Sequence, residues 1–272
     1  MANVNENVET TSSSKGSKLF APLTIILCLV VGFLVFSLVL GAEGNFEHND
    51  PTNGHPINIL GTVYKGGIVV AVLLSLLLMT IVFGFERFFV ITKAAGKGNV
   101  DAFVTNVKSL ILQGKIEEAK QVCDEQEGSV ANVIKAALVK YTEVKKDGLD
   151  SEKAAELIQK EIEEATSLEM PMLQQNMVVL STLVSIGTLV GLLGTVSGMI
   201  KAFSGLAAAG APDQAALANG ISEALINTAT GIGTSTLAII LYNLFTTKID
   251  KLTYSIDEAG FALAQAYRRL VK

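Results

Sequence analysis

The chain has 272 residues, half of them hydrophobic, and a formal net charge of −5. Its mean hydropathy is positive, as expected of a polytopic membrane protein. The mild acidity and the lack of a basic patch interleaved with aromatics argue against a nucleic-acid partner.

Residues 1–19 form a polar, Ser-rich tail with Lys15 and Lys18 just ahead of an apolar run. Residues 20–42 read as an extra transmembrane helix. A signal peptide is the alternative, with small residues for cleavage at Leu40-Gly41-Ala42. The run Phe20–Leu40 is longer than the roughly 7–15 residues of a signal h-region, which favours a retained span. Residues 43–65 form an outer, periplasmic loop carrying Glu43, Glu47 and Asp50. His48 and His55 lie there among Asn, Asp and Pro; they read as solvated, with a weak metal site as the alternative.

Residues 66–92 give a second span, ending at Glu86-Arg87, with Lys93 and Lys97 beyond. The positive-inside rule places this end, like the N-terminus, in the cytoplasm. Residues 93–169 are then a cytoplasmic helical region. Val100, Phe103, Val104, Val107, Leu110 and Ile111 form an apolar stripe at helical spacing. A short helix over Lys115–Gln126 and an amphipathic one over Val130–Val144 follow, punctuated by Gly114 and Gly128. Asp147-Gly148 marks a turn, and Asp150 or Ser151 can cap a helix over Glu152–Glu169. That helix is predicted to run into the third span as a stalk, with Pro171 kinking it or marking the membrane entry. Glu156 and Lys160 are spaced to pair along it. Cys28 and Cys123 read as two unpaired thiols.

Residues 170–248 hold the core helix pair, and 249–272 a further, C-terminal cytoplasmic helix that packs on the stalk. Met170–Ile200 and Ala224–Thr247 contain no Asp, Glu, Lys, Arg or His, like Phe20–Leu40 and Gly66–Phe85. About twenty apolar residues suffice to cross the hydrocarbon core as a helix. At about 100° per residue, Gly191, Gly194 and Gly198 fall within about 40° of Gly187. Such a stripe lets another helix approach closely. Beside it lie Thr195, Thr188, Ser181 and Ser185. On the last span Ala224, Gly231, Ala238 and Tyr242 align with Gly220, flanked by Asn227, Thr228, Thr234 and Ser235. Glu223 sits at the lip of this span. Together these features read as the wall of a polar pathway, and intramembrane ionisable residues are functional candidates. Packing alone is the other reading, since small residues and self-bonded hydroxyls are common in membrane helices.

The chemistry excludes several activities. No span contains His, so Ser197 has no base beside it. There is no GxxxxGK[ST] phosphate loop and no inverted repeat of the transporter kind. No catalytic residue, metal site or cofactor is predicted, and no enzyme activity. A proton pathway without an acid in its spans needs one from a partner helix.

GLLGTVSG at Gly191–Gly198, with Phe203, and ISEALINTATG at Ile221–Gly231, with Tyr242-Asn243, resemble the two core helices of the ExbB/TolQ/MotA proton-channel family. Glu86-Arg87-Phe88-Phe89 resembles its ExbB/TolQ branch. The resemblance runs from about Gly66 to the C-terminus. It implies an all-α fold whose long transmembrane helices extend into a cytoplasmic helical stalk. It also implies a homopentamer in the bacterial inner membrane around the helices of an ExbD- or TolR-like partner, whose Asp carries the proton. Work would pass to a TonB- or TolA-like protein. The matching residues Thr195 and Thr228 would line the interior, with Glu223 in the same polar region. Relatives often have proline where this chain has Thr188 and Leu237, so its two core helices are expected to be straighter.

Overall fold

A computed structural model describes residues 14–52, 54–208 and 214–270. Among the described residues the chain is almost entirely helical, with no strand and one isolated bridge between Phe46 and Pro56. The helices are α1 (Ser14–Leu34), α2 (Ile59–Tyr64), α3 (Ile68–Ala95), α4 (Val100–Leu112), α5 (Ile116–Gln126), α6 (Gly128–Lys146), α7 (Ser151–Gln174), α8 (Met177–Ala208) and α9 (Gln214–Leu270). Among the described residues, four helical stretches are long and apolar enough to cross a membrane, the first being Phe20–Leu40. Residues 1–13 of the polar tail and 209–213, between α8 and α9, lie outside the described residues.

The chain divides into two compact units, Met1–Val82 with Thr182–Ala238, and Phe83–Ser181 with Ile239–Lys272. In the first, α1 continues as a π-helical turn over Val35–Leu40. Thr24 and Cys28 are buried on α1, and a Cβ on Gly32 would lie 2.9 Å from Ser75 Cα of α3. Leu23, Ile26 and Leu27 are exposed on α1, as an outer helix in a bilayer would present them.

The segment after α1 is more ordered than a polar loop. Asn45 Nδ2 donates to the Val39 and Leu40 carbonyls at 2.8 and 3.0 Å, satisfying helix-end acceptors. Its Oδ1 accepts from Asn58 Nδ2 at 2.9 Å, and Asn58 Oδ1 accepts from the Gly61 N–H at the start of α2. Phe46 is buried under Tyr64, which stacks on Phe36. Lys65 lies over the Phe46 ring and donates to the Pro51 and Thr52 carbonyls. His48 and His55 are exposed.

In the second unit α4 to α7 follow the expected punctuation. Gly114 and Gly148 take positive φ at the ends of α4 and α6, where a left-handed residue closes a helix. Asp150 accepts from the Glu152 N–H and caps α7. Lys160 pairs forward with Glu164 at 3.5 Å, not back with Glu156. Cys123 is buried on α5, and its thiol is pushed up to about 12 by burial and then by Asp124.

Two expectations need correction. The stalk helix does not run unbroken into the third span. It passes Pro171, ends at Gln174, and restarts at Met177 after Asn176 takes a φ of +61°. Arg87 marks the physical reason. Its guanidinium is 1% exposed, pairs with Glu86, and donates to the Met172 and Leu173 carbonyls at 3.2 and 3.3 Å. Those are orphan acceptors at a helix C-terminus, where a cation is favoured. Nor is the C-terminal segment a separate helix. It is the far part of α9, a single helix of 57 residues, with Gly260 against Ile162 and Thr253 against Met170. α8 and α9 run without a break through Thr188 and Leu237, consistent with the straightening expected there.

Candidate functional site

The outer part of α8 and the first part of α9 meet along their glycines. A Cβ on Gly231 would lie 2.7 Å from the Gly187 carbonyl oxygen and 2.8 Å from Gly191 Cα. One on Gly191 would lie 3.1 Å from Gly231 Cα, and one on Gly198 2.8 Å from the Ala224 nitrogen. A Cβ on Gly194 would meet Asn227 Cβ at 2.5 Å, and one on Gly187 would meet Ser235 Oγ at 2.6 Å. Only hydrogen fits at these points, so the two backbones touch in antiparallel register. Each glycine predicted to serve packing is buried.

The polar candidates divide on either side of this seam. On one edge the Thr195 and Thr228 hydroxyls are hydrogen-bonded to each other across the helices. Each also reaches a carbonyl one turn back, Gly191 at 3.2 Å and Ala224 at 3.1 Å. A hydroxyl has one proton, so only one threonine at a time donates to its own helix while accepting from the other. The direction of this bond is reversible, which is what a hydroxyl relay requires. Thr188 donates to Ser235 Oγ at 2.9 Å along the same edge. Thr195 also lines an open, largely apolar groove with Val196, Met199, Ile200, Phe203 and Ser204.

Glu223 and Thr234 lie on the other edge of α9, and Asn227 packs in the seam itself, against Gly194 of α8. The Glu223 carboxylate pairs with Lys201 of α8. It also lies against Gly67, where a Cβ would stand 2.9 Å from Oε1. Asn227 is fully buried, and neither Nδ2 nor Oδ1 has a hydrogen-bond partner. Thr234 is 1% exposed and bonds the Thr230 carbonyl at 2.9 Å. The six pathway candidates are thus brought together as Thr195 with Thr228, Thr188 with Ser235, and a separate interior set.

Residues 125–258, which include every candidate on α8 and α9, match the family described as the MotA/TolQ/ExbB proton channel family. The chain is also 30% identical over 159 residues to the Tol-Pal system protein TolQ of Pseudomonas aeruginosa, covering 58% of this chain and 69% of that protein. The chain belongs to the MotA/TolQ/ExbB family. It is 26% identical over 154 residues to the biopolymer transport protein ExbB of Pseudomonas putida, 57% of this chain and 46% of that one. To ExbB of Salmonella typhimurium it is 35% identical over 81 residues, 30% of this chain and 33% of that one. Against these ExbB relatives the match spans less than half of their length. With its four apolar helices, this MotA/TolQ/ExbB member is a multi-pass membrane protein.

Two features escaped the sequence reading. Lys201 directly follows the uncharged stretch that ends at Ile200, and no role is predicted for it from the sequence. Arg87 read as a topological charge at a span end, while its burial against α7 is a packing fact. Among the described residues no three His, Cys, Asp or Glu side chains gather as a metal site would need.

Proposed function

We propose that this chain is a channel and motor subunit that, with a single-span ExbD- or TolR-like partner, converts the proton motive force into mechanical work. The observation that carries the reading is the Thr195–Thr228 hydroxyl pair across two touching helices, opening beside an apolar groove. The groove is open and largely apolar, with no acid among its lining residues. A partner helix seated there would bring its carboxylate to the hydroxyl edge, and the reversible Thr–Thr bond would hand the proton on.

The family resemblance supports a homo-oligomer, a pentamer, around that partner. Lys93, Lys97, Lys248, Lys251, Arg268 and Arg269 support a cytoplasmic placement of the second unit, with the N-terminus on the same side of a bacterial inner membrane. The work is passed to a TonB-like protein for outer-membrane uptake. A TolQ-like role in envelope maintenance through a TolA-like protein is the second reading, favoured by the longer match to TolQ. A MotA-like stator fits less well, as the segment between the second and third spans is short for that branch.

The test is proton uptake into liposomes holding the chain and its partner, comparing wild type with Thr195→Val and Thr228→Val. Valine keeps the shape and removes the relay. Flux should fall about tenfold or more, the effect of raising a transfer barrier by roughly 1.4 kcal/mol, while native mass spectrometry shows unchanged assembly. Unchanged flux would sink the Thr195–Thr228 pathway, and no flux in the wild type would leave a non-conducting scaffold, whose small and hydroxylated faces serve packing alone.

A further inference from the structure

Lys201 is the charged residue next to the interior edge that neither the uncharged spans nor the relay uses. Its ammonium pairs with Glu223, whose side chain is 12% exposed against 60% for Lys201. Glu223 is also seated on Gly67, which takes a φ of +75° immediately before α3 begins at Ile68. A Cβ there would stand 2.9 Å from Glu223 Oε1 and 3.9 Å from Lys201 Nζ. The carboxylate therefore meets an ammonium from α8 and the N-terminal end of α3. One turn along α9 lies Asn227, buried, with an amide that has no partner. Its side chain packs against Gly194 of α8, and a polar group left dry in this way costs free energy.

We propose that Lys201 is a positioning residue that latches Glu223 onto the start of α3, pinning the adjoining ends of α3, α8 and α9 and sealing Asn227 from water. The motor's use of this latch rests on the function proposed above; the latch itself does not. In the latched arrangement Glu223 faces α3, on the opposite side of the glycine seam from the Thr195–Thr228 pair. Its part is then to hold α9 in place, and release of the latch frees the end of α9 to move.

The experiment uses the full chain in liposomes with Cys28→Ala and Cys123→Ala, and Asn227→Cys as the reporter. The readout is the labelling rate by a membrane-impermeant maleimide. Lys201→Met and Glu223→Gln should each raise labelling about fivefold, the population shift expected from losing one partly exposed ion pair. The swap Lys201→Glu with Glu223→Lys should restore protection only in part, because a lysine at 223 would face the positive end of α3. Equal labelling in wild type and Lys201→Met would overturn the latch. Full protection in the swap would overturn the seat at Gly67. Labelling needs no proton flux, so the latch can fail while Thr195→Val still blocks flux, and it can stand where no flux exists.

Discussion

The two edges of α9 carry the same kinds of residue and differ in what covers them. On one edge Thr228 and Ser235 meet hydroxyls of α8, and Thr195 looks out into an open groove. On the other, Glu223 is tied down and Thr234 is sealed, as is Asn227 in the seam between. Helical periodicity puts both sets beside the glycine seam. Their mean angular positions are opposite in sense, and in the function proposed above the neighbouring helix decides which set conducts and which holds. A polar residue in a membrane helix therefore reads as relay or latch only when its partner helix is known.

The largest way to break this comparison is to part the seam. Gly231→Ala places a methyl 2.7 Å from the Gly187 carbonyl oxygen and 2.8 Å from Gly191 Cα. Both neighbours are backbone and cannot turn away. The expected loss is about 2–3 kcal/mol of stability, as for overpacked cores. A thermal melt in detergent should fall accordingly, and both edges should lose their contacts, flux included. Asn227→Leu has the opposite sign. It replaces a buried amide with two unmet polar atoms by an apolar group of similar outline. Stability should rise by about 1 kcal/mol, with flux retained if the interior edge only holds. A collapse of flux in Asn227→Leu would move conduction to the interior edge and reverse the assignment.

Much of this arrangement is visible in the residues. The uncharged stretches, the stripe from Gly187 to Gly198, and the caps at Gly114, Gly148 and Asp150 each rest on local chemistry that the chain spells out. What stayed hidden depends on residues distant in sequence. Pro171 is the obvious breaker before the third span, yet the break falls at Asn176 because Arg87, far upstream, caps the carbonyls of Met172 and Leu173. Likewise Asn45, Phe46, Tyr64 and Lys65 look like an ordinary polar loop until their side chains close on one another. Lys201 shows the same limit: a hydropathy boundary conceals an ion pair with a residue on the next helix.

The smallest effect is the most discriminating for the open edge. Thr188→Val removes the 2.9 Å bond to Ser235 Oγ without touching the glycine seam. Ser235 is 7% exposed and can turn its proton to a carbonyl of its own helix, so no buried donor is stranded. Flux in liposomes should fall by about threefold, the kinetic equivalent of roughly 0.5–1 kcal/mol, less than for Thr195→Val. The order matters more than either value. A relay whose narrow point is the Thr195–Thr228 pair must suffer more there than at a second pair that only extends it. Equal losses at the two positions would make the edge one continuous wire with no single control point.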